Sequence, residues 1–135
     1  MKNFKLFSLF ALVSLVLFAT GCKEDAVVNQ IVITIEEPVD GEAIAIADCA
    51  DVHVHVDFVA SVENHEVEII LHPEGDVNDR IIDYDEHMHD QVIVFEQEVD
   101  LCSYGAGACF HLEVVACVDH DCTERATAEA EFCLQ

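Results

Sequence analysis

Hydrophobic and polar residues alternate along most of the chain from Gln30 onward, a period of two that is typical of β-strands with one buried face. In Asp51–Ala60, three valines and Phe58 fall on one face while His53, His55 and Asp57 fall on the other. No convincing 3.6-residue helical period is present. The pattern predicts about seven strands: Gln30–Glu36, Asp51–Ala60, His65–His72, Arg80–Tyr84, Gln91–Leu101, Phe110–Val118 and Thr123–Leu134.

Turn-forming and polar segments separate these strands, among them Asp40-Gly41, residues 73–76, residues 85–90 and residues 103–108. Short strands with turns at regular spacing are typical of an antiparallel Greek-key sandwich. We therefore predict one all-β domain over residues 30–135. In such a sandwich the loops after the second, fourth and sixth strands lie at one end, and the other loops lie at the opposite end.

The first 21 residues have a different pattern. Lys2 and Lys5 precede an apolar run from Leu6 to Phe18, which contains only two serines. The run is too short to span a membrane comfortably and ends in small residues, as a secretory signal peptide does. Residues 1–21 are therefore expected to be removed on export.

The end of this segment, Ala19-Thr20-Gly21-Cys22, resembles the lipobox of bacterial lipoproteins, although Ala19 stands where leucine is commonest. The resemblance implies cleavage before Cys22, lipidation of Cys22 and membrane anchoring through several acyl chains, with residues 22–29 as a tether. An ordinary signal peptide with an incidental cysteine is the alternative. Lys23-Glu24-Asp25 resembles the export signal of Bacteroidota lipoproteins, which implies the outer face of the outer membrane rather than the periplasm.

Acidic residues dominate the charge of the chain, with 28 carboxylates against five basic residues and a formal net charge of −23. Two of the five basic residues fall in the predicted signal peptide, so the exported chain is still more acidic. Such a charge argues against binding to nucleic acid or to anionic lipid, because phosphates would be repelled. It permits the binding of cations.

Three segments carry a resemblance to a known group: Ile35–Gly41, the histidine-rich middle of the chain, and Phe110–Ala116 with the Asp-rich turn that follows. They resemble immunoglobulin-like domains and, more narrowly, the uncharacterised immunoglobulin-like surface lipoproteins of Bacteroidota, a domain of unknown function. The resemblance implies an immunoglobulin-like or fibronectin III-like sandwich and a surface location. It implies no activity.

Six cysteines remain beside Cys22, and an even number in an exported domain indicates disulfides. No two of them have the Cys-x-x-Cys spacing of a zinc site. Cys117 and Cys122 face each other across a short hairpin and are expected to pair. For the other four the preferred hypothesis is Cys102–Cys109 and Cys49–Cys133, although six cysteines allow 15 connectivities.

Four histidines are expected in the loops at one end of the sandwich, beside carboxylates. They are His65, His87, His89 and His120, with Asp119 and Asp121 as supporting ligands. Imidazole nitrogen and carboxylate oxygen suit zinc or copper(II), whereas calcium, a weaker possibility, would use the aspartates. The alternative is that these are solvated loop residues.

His53 and His55 form an alternative metal site. Alternation places both rings on one outer face, roughly 6.6–7 Å apart along the strand. The His-Val-His motif is similar to that of copper–zinc superoxide dismutase, but that family's glycine-rich segments are missing here. His72 and His111 are expected to be surface residues.

Two functions from different classes follow. The first is a non-enzymatic, outer-surface lipoprotein that acts as a binding or accessory module for a protein or glycan partner. The second is a lipoprotein that binds zinc or copper through the loop histidines. An enzyme is not expected, because the chain has no serine nucleophile elbow, no His-Glu-x-x-His and no phosphate-binding loop.

Overall fold

The computed structural model of the protein describes residues 27–135. The predicted signal peptide and the lipidation site at Cys22 lie outside the described residues. Among residues 27–135, none of the helices is long and apolar enough to cross a membrane. The elements are β1 (Ile31–Glu37), β2 (Glu42–Ile44), a 3₁₀ helix (Ile46–Asp51), β3 (Val52–Ala60), β4 (Glu66–Pro73), β5 (Ile82–His87), β6 (Val92–Val99), a second 3₁₀ helix (Cys102–Tyr104), β7 (Cys109–Cys117) and β8 (Arg125–Leu134).

The strands form two sheets, one with the order β1-β3-β6 and the other with the order β2-β8-β7-β4-β5. All pairings are antiparallel except that of β2 with β8. The predicted all-β class and the predicted disulfide bonding are confirmed. The described residues contain one strand more than predicted, because the three residues of β2 are too few to show an alternation.

Alternation along each strand places the core between the sheets. In β3, Val54, Val56 and Phe58 are fully buried, while His53 and His55 lie on the outer face. The inward positions of β4, β7 and β8 complete the core with Val67, Ile69, Leu71, Phe110, Leu112, Val114, Ala116, Ala130 and Phe132.

The structure contains three disulfides, and it corrects the predicted connectivity. Cys117–Cys122 is present as predicted, across the turn between β7 and β8. The predicted pairs Cys102–Cys109 and Cys49–Cys133 are wrong. The other two disulfides are Cys49–Cys102 and Cys109–Cys133.

Strand register explains this connectivity. Cys109 lies directly opposite Cys133 in the β7–β8 ladder, with Cα atoms 4.0 Å apart. Cys49 lies in the 3₁₀ helix that leads into β3, and Cys102 begins the 3₁₀ helix that follows β6, the partner of β3. The backbone N of Leu101 donates to the carbonyl oxygen of Cys49 at 2.8 Å, and the Cα atoms of the two cysteines are 5.0 Å apart. None of these three disulfides joins a strand of one sheet to a strand of the other, so apolar packing holds the two sheets together.

Candidate metal centre

All eight histidines of the chain lie within the described residues, and each ring is close to another histidine ring. They form three groups, which we name by position. The groups are the loop cluster (His65, His87, His89 and His120), the β4–β7 pair (His72 and His111) and the β3 pair (His53 and His55).

The loop cluster forms because three loops meet at one end of the sandwich. β4 begins beside the end of β5, and β7 ends beside the beginning of β8. The four rings make a closed arrangement in which each ring neighbours two others. The centroid distances are 4.8 Å for His87–His89, 5.5 Å for His65–His89, and 5.7 Å for both His65–His120 and His87–His120.

A carboxylate that the sequence did not single out lies beside two rings of this cluster. Glu63 Oε2 lies 3.4 Å from His89 Nδ1, and Glu63 Oε1 lies 3.7 Å from His65 Nε2. One ligand atom from each of these three residues lies within 4.8 Å of the others. The one sequence feature that could have indicated Glu63 as a ligand is its position, two residues before His65 on the same loop.

His65 is the most enclosed of these rings, with 14% of its side chain exposed. Its Nδ1 atom is buried and has no hydrogen-bond partner among the described residues. A buried polar atom without a partner costs about 1–3 kcal/mol. The nitrogen of His65 that faces Glu63 is Nε2, on the other side of the ring.

Two asparagines, neither of which has a recognisable sequence signal, hold the loops of this cluster in place. The buried Asn64 donates from its backbone N and from Nδ2 to the carbonyl oxygen of Asp90, at 3.0 and 2.7 Å. Asn29 Nδ2 donates to the carbonyl oxygens of Glu63 and Val118, at 2.6 and 2.9 Å. These bonds fix the histidine-bearing loops to one another.

The comparisons with known proteins do not assign the chain to a family. The chain matches no protein-family model, and no curated protein is significantly similar to it. The function of the chain is therefore inferred from its own residues.

The two aspartates expected to support the cluster do not join it. Asp119 accepts hydrogen bonds from the side chain and backbone of Thr123, which hold the pKa of Asp119 below its ordinary value. Its carboxylate therefore stabilises the β7–β8 turn. Asp121 is exposed and belongs to neither of the ligand groups found in residues 27–135.

The β3 pair lies on the outer face as expected, with centroids 6.0 Å apart. However, its two rings face different carboxylates. His53 Nδ1 lies 3.0 Å from Glu37 Oε2, and His55 Nε2 lies 3.2 Å from Asp57 Oδ1. The two rings do not converge on a shared carboxylate, so the loop cluster is the better candidate.

The β4–β7 pair differs from the expectation that both residues are surface histidines. His72 is 4% exposed, because His111 and Glu113 of β7 cover its ring. A hydrogen bond to the backbone of Pro73 raises the pKa of His72, and Glu113 raises it further, while burial opposes the shift.

Proposed function

We propose that the loop cluster binds a divalent transition metal, zinc or copper(II), and that metal binding is the function of this domain. The observation that carries the proposal is the gathering of four histidine rings at one end of the sandwich, two of which, His65 and His89, also contact Glu63. Neutral imidazole is the commonest metal ligand in proteins, and carboxylate oxygen complements it at zinc sites.

Ligand spacing supports the proposal. His87 Nε2 and His89 Nε2 are 3.2 Å apart. Two ligands on a tetrahedral zinc ion, each about 2.0–2.1 Å from the metal, are separated by about 3.3 Å. The two ring nitrogens are thus already close to the distance that shared coordination requires.

The electrostatic setting also favours a cation. The chain carries a formal net charge of −23, which attracts metal ions from solution. Calcium is disfavoured because it prefers oxygen ligands, whereas Glu63 is the only carboxylate shown to contact the loop cluster among the described residues.

The location and the finer fold are part of the same proposal. The N-terminal sequence supports an exported protein anchored through lipid on Cys22, exposed on the surface of a bacterial outer membrane. The strand order β1-β3-β6 packed against β8-β7-β4-β5 supports an immunoglobulin-like or fibronectin III-like Greek-key sandwich. The domain would then hold its metal site outside the cell.

The second candidate function is a non-enzymatic binding or accessory module for a protein or glycan. One observation favours a protein partner. Val32, Val59 and Val92 lie side by side across the outer face of the β1-β3-β6 sheet, and each is about half exposed or more. Exposed apolar rows of this kind are often covered by partners.

Zinc titration tests the proposed function. Metal-free full-length protein, purified in detergent with its disulfides intact, would be titrated with zinc chloride against a chromogenic chelator. We expect His87→Gln/His89→Gln to lower the zinc affinity of the loop cluster by at least about 100-fold, because it removes two direct ligands and loss of a supporting residue alone costs 10–100-fold.

The matched control is His53→Gln/His55→Gln, which also removes two exposed or half-exposed histidines but leaves the loop cluster intact. It should bind zinc as the wild type does. A wild-type protein that binds no zinc, or a loop variant that binds it with unchanged affinity and stoichiometry, would contradict the proposal and favour the binding module.

A further inference from the structure

The β4–β7 pair converges on a single carboxylate oxygen. His72 Nε2 lies 3.2 Å from Glu113 Oε1, and His111 Nδ1 lies 3.4 Å from the same atom. Both distances match the separation of about 3.3 Å between neighbouring ligands on tetrahedral zinc. One ligand atom from each of the three residues lies within 4.8 Å of the others.

The far nitrogen of His72 has a hydrogen-bond acceptor, and the far nitrogen of His111 lies at ion-pair distance from a second carboxylate. His72 Nδ1 lies 2.8 Å from the carbonyl oxygen of Pro73, which can only accept, so Nδ1 carries a proton and donates it there. Nε2 is the nitrogen that faces Glu113, where a proton on Nε2 donates to the carboxylate and a metal ion would replace that proton. His111 Nε2 lies 3.6 Å from Glu129 Oε2. Metal-ligating histidines generally have an outer acceptor like that of His72, which fixes the tautomer and the ring orientation.

Strand register makes this arrangement rigid. His72 lies directly opposite His111 in the β4–β7 ladder, and Glu113 lies on the same face of β7. Both strands are interior to their sheet, with β5 on one side and β8 on the other. Ligands carried on paired strands are held more firmly than ligands carried on loops.

The surrounding charge is compatible with a cation. Arg80 is close enough for its charge to lower the pKa of His72, but its guanidinium is paired with Asp83 at 2.6 Å. Glu113 and Glu129 bring two carboxylates to the two histidines. The net charge around the two histidines is therefore negative.

From this geometry we propose a second metal site, in which His72 Nε2, His111 Nδ1 and a carboxylate oxygen of Glu113 bind a zinc-like divalent cation and leave a fourth position for water. Two histidines with one carboxylate are a known zinc ligand set. The site does not depend on the loop cluster. His65 and His72 are seven residues apart along one chain segment, which corresponds to roughly 23 Å in a strand.

Native mass spectrometry of the metal-free full-length protein with zinc chloride alone tests this inference. We expect two zinc ions on the wild type and one on Glu113→Gln/His111→Gln, with affinity at the second site reduced by about 100-fold or more. These positions are half-buried, so the variant avoids the cavity that His72→Ala would leave. Glu113→Gln alone, a nearly isosteric change, should also lower the zinc affinity of the second site, but by a smaller factor.

The loop variant His87→Gln/His89→Gln separates the two proposals. The loop variant should also bind one zinc ion. The combination of the loop variant with Glu113→Gln/His111→Gln should bind none. The control His53→Gln/His55→Gln should bind two. A wild type with a single ion that only the loop variant removes would overturn the second site. A single ion that only the Glu113 variant removes would overturn the loop site and support the site at the β4–β7 pair. Loss of an ion in the β3 control would place the site there and overturn the inference.

Discussion

Replacing Cys49 and Cys102 together by alanine is expected to lower the free energy of unfolding by about 4 kcal/mol. The disulfide closes a loop with a sequence separation of 53 residues, and the chain-entropy model gives a stabilisation of this size for such a loop. This loop does not overlap the loops of the other two disulfides, so its contribution should be separable. Guanidinium chloride unfolding followed by far-UV circular dichroism, without reductant, measures the change.

The matched control is Cys117→Ala/Cys122→Ala, which opens a loop with a sequence separation of five residues. Its expected cost is about 2 kcal/mol on the same model. Equal losses in the two variants would contradict the connectivity or the entropic account. Non-reducing peptide mapping would then show whether Cys49 and Cys102 are joined.

Phe58→Ala is expected to destabilise the protein by about 3–5 kcal/mol, the usual cost of removing a buried phenylalanine side chain. Phe58 is fully buried between the two sheets and faces Ile33 of β1 and Ile93 of β6. Within residues 27–135 no disulfide joins a strand of one sheet to a strand of the other, so a cavity at this position weakens the packing that holds the sheets together.

Val59→Thr is the natural comparison, since Val59 follows Phe58 on β3 but is 48% exposed. The substitution keeps a β-branched side chain, so stability should change by no more than about 0.5 kcal/mol. Denaturation midpoints of the two variants, measured side by side, check the prediction. A loss below about 1 kcal/mol for Phe58→Ala would show that the core is not built as described.

The sequence predicted those features that depend on local alternation. The period of two in β3, β4 and β7 identified both the strands and the inward residues, such as Val54 and Leu112. Sorting the loops by strand order then placed His65, His87 and His120 at the same end, where their rings are found. These features follow from side-chain period and chain direction, both of which can be inferred from one sequence.

Features that depend on strand register could not be predicted from the sequence. Alternation places Cys109 and Cys133 at one end of the sandwich, but only the register makes them direct partners. His72 occupies an outward position and was therefore expected on the surface, yet the side chains of neighbouring β7 bury it. Glu63 was missed for a related reason, since its role depends on how one loop folds back toward His89.

Anomalous X-ray scattering at the zinc edge, from crystals of the protein grown with zinc chloride, tests the central claim most directly. The account predicts a strong peak inside the loop cluster, about 2.0–2.1 Å from coordinating histidine nitrogens. That peak should disappear in crystals of His87→Gln/His89→Gln. A map of zinc-saturated wild-type protein without a peak in the loop cluster would contradict the claim that this end of the sandwich binds metal.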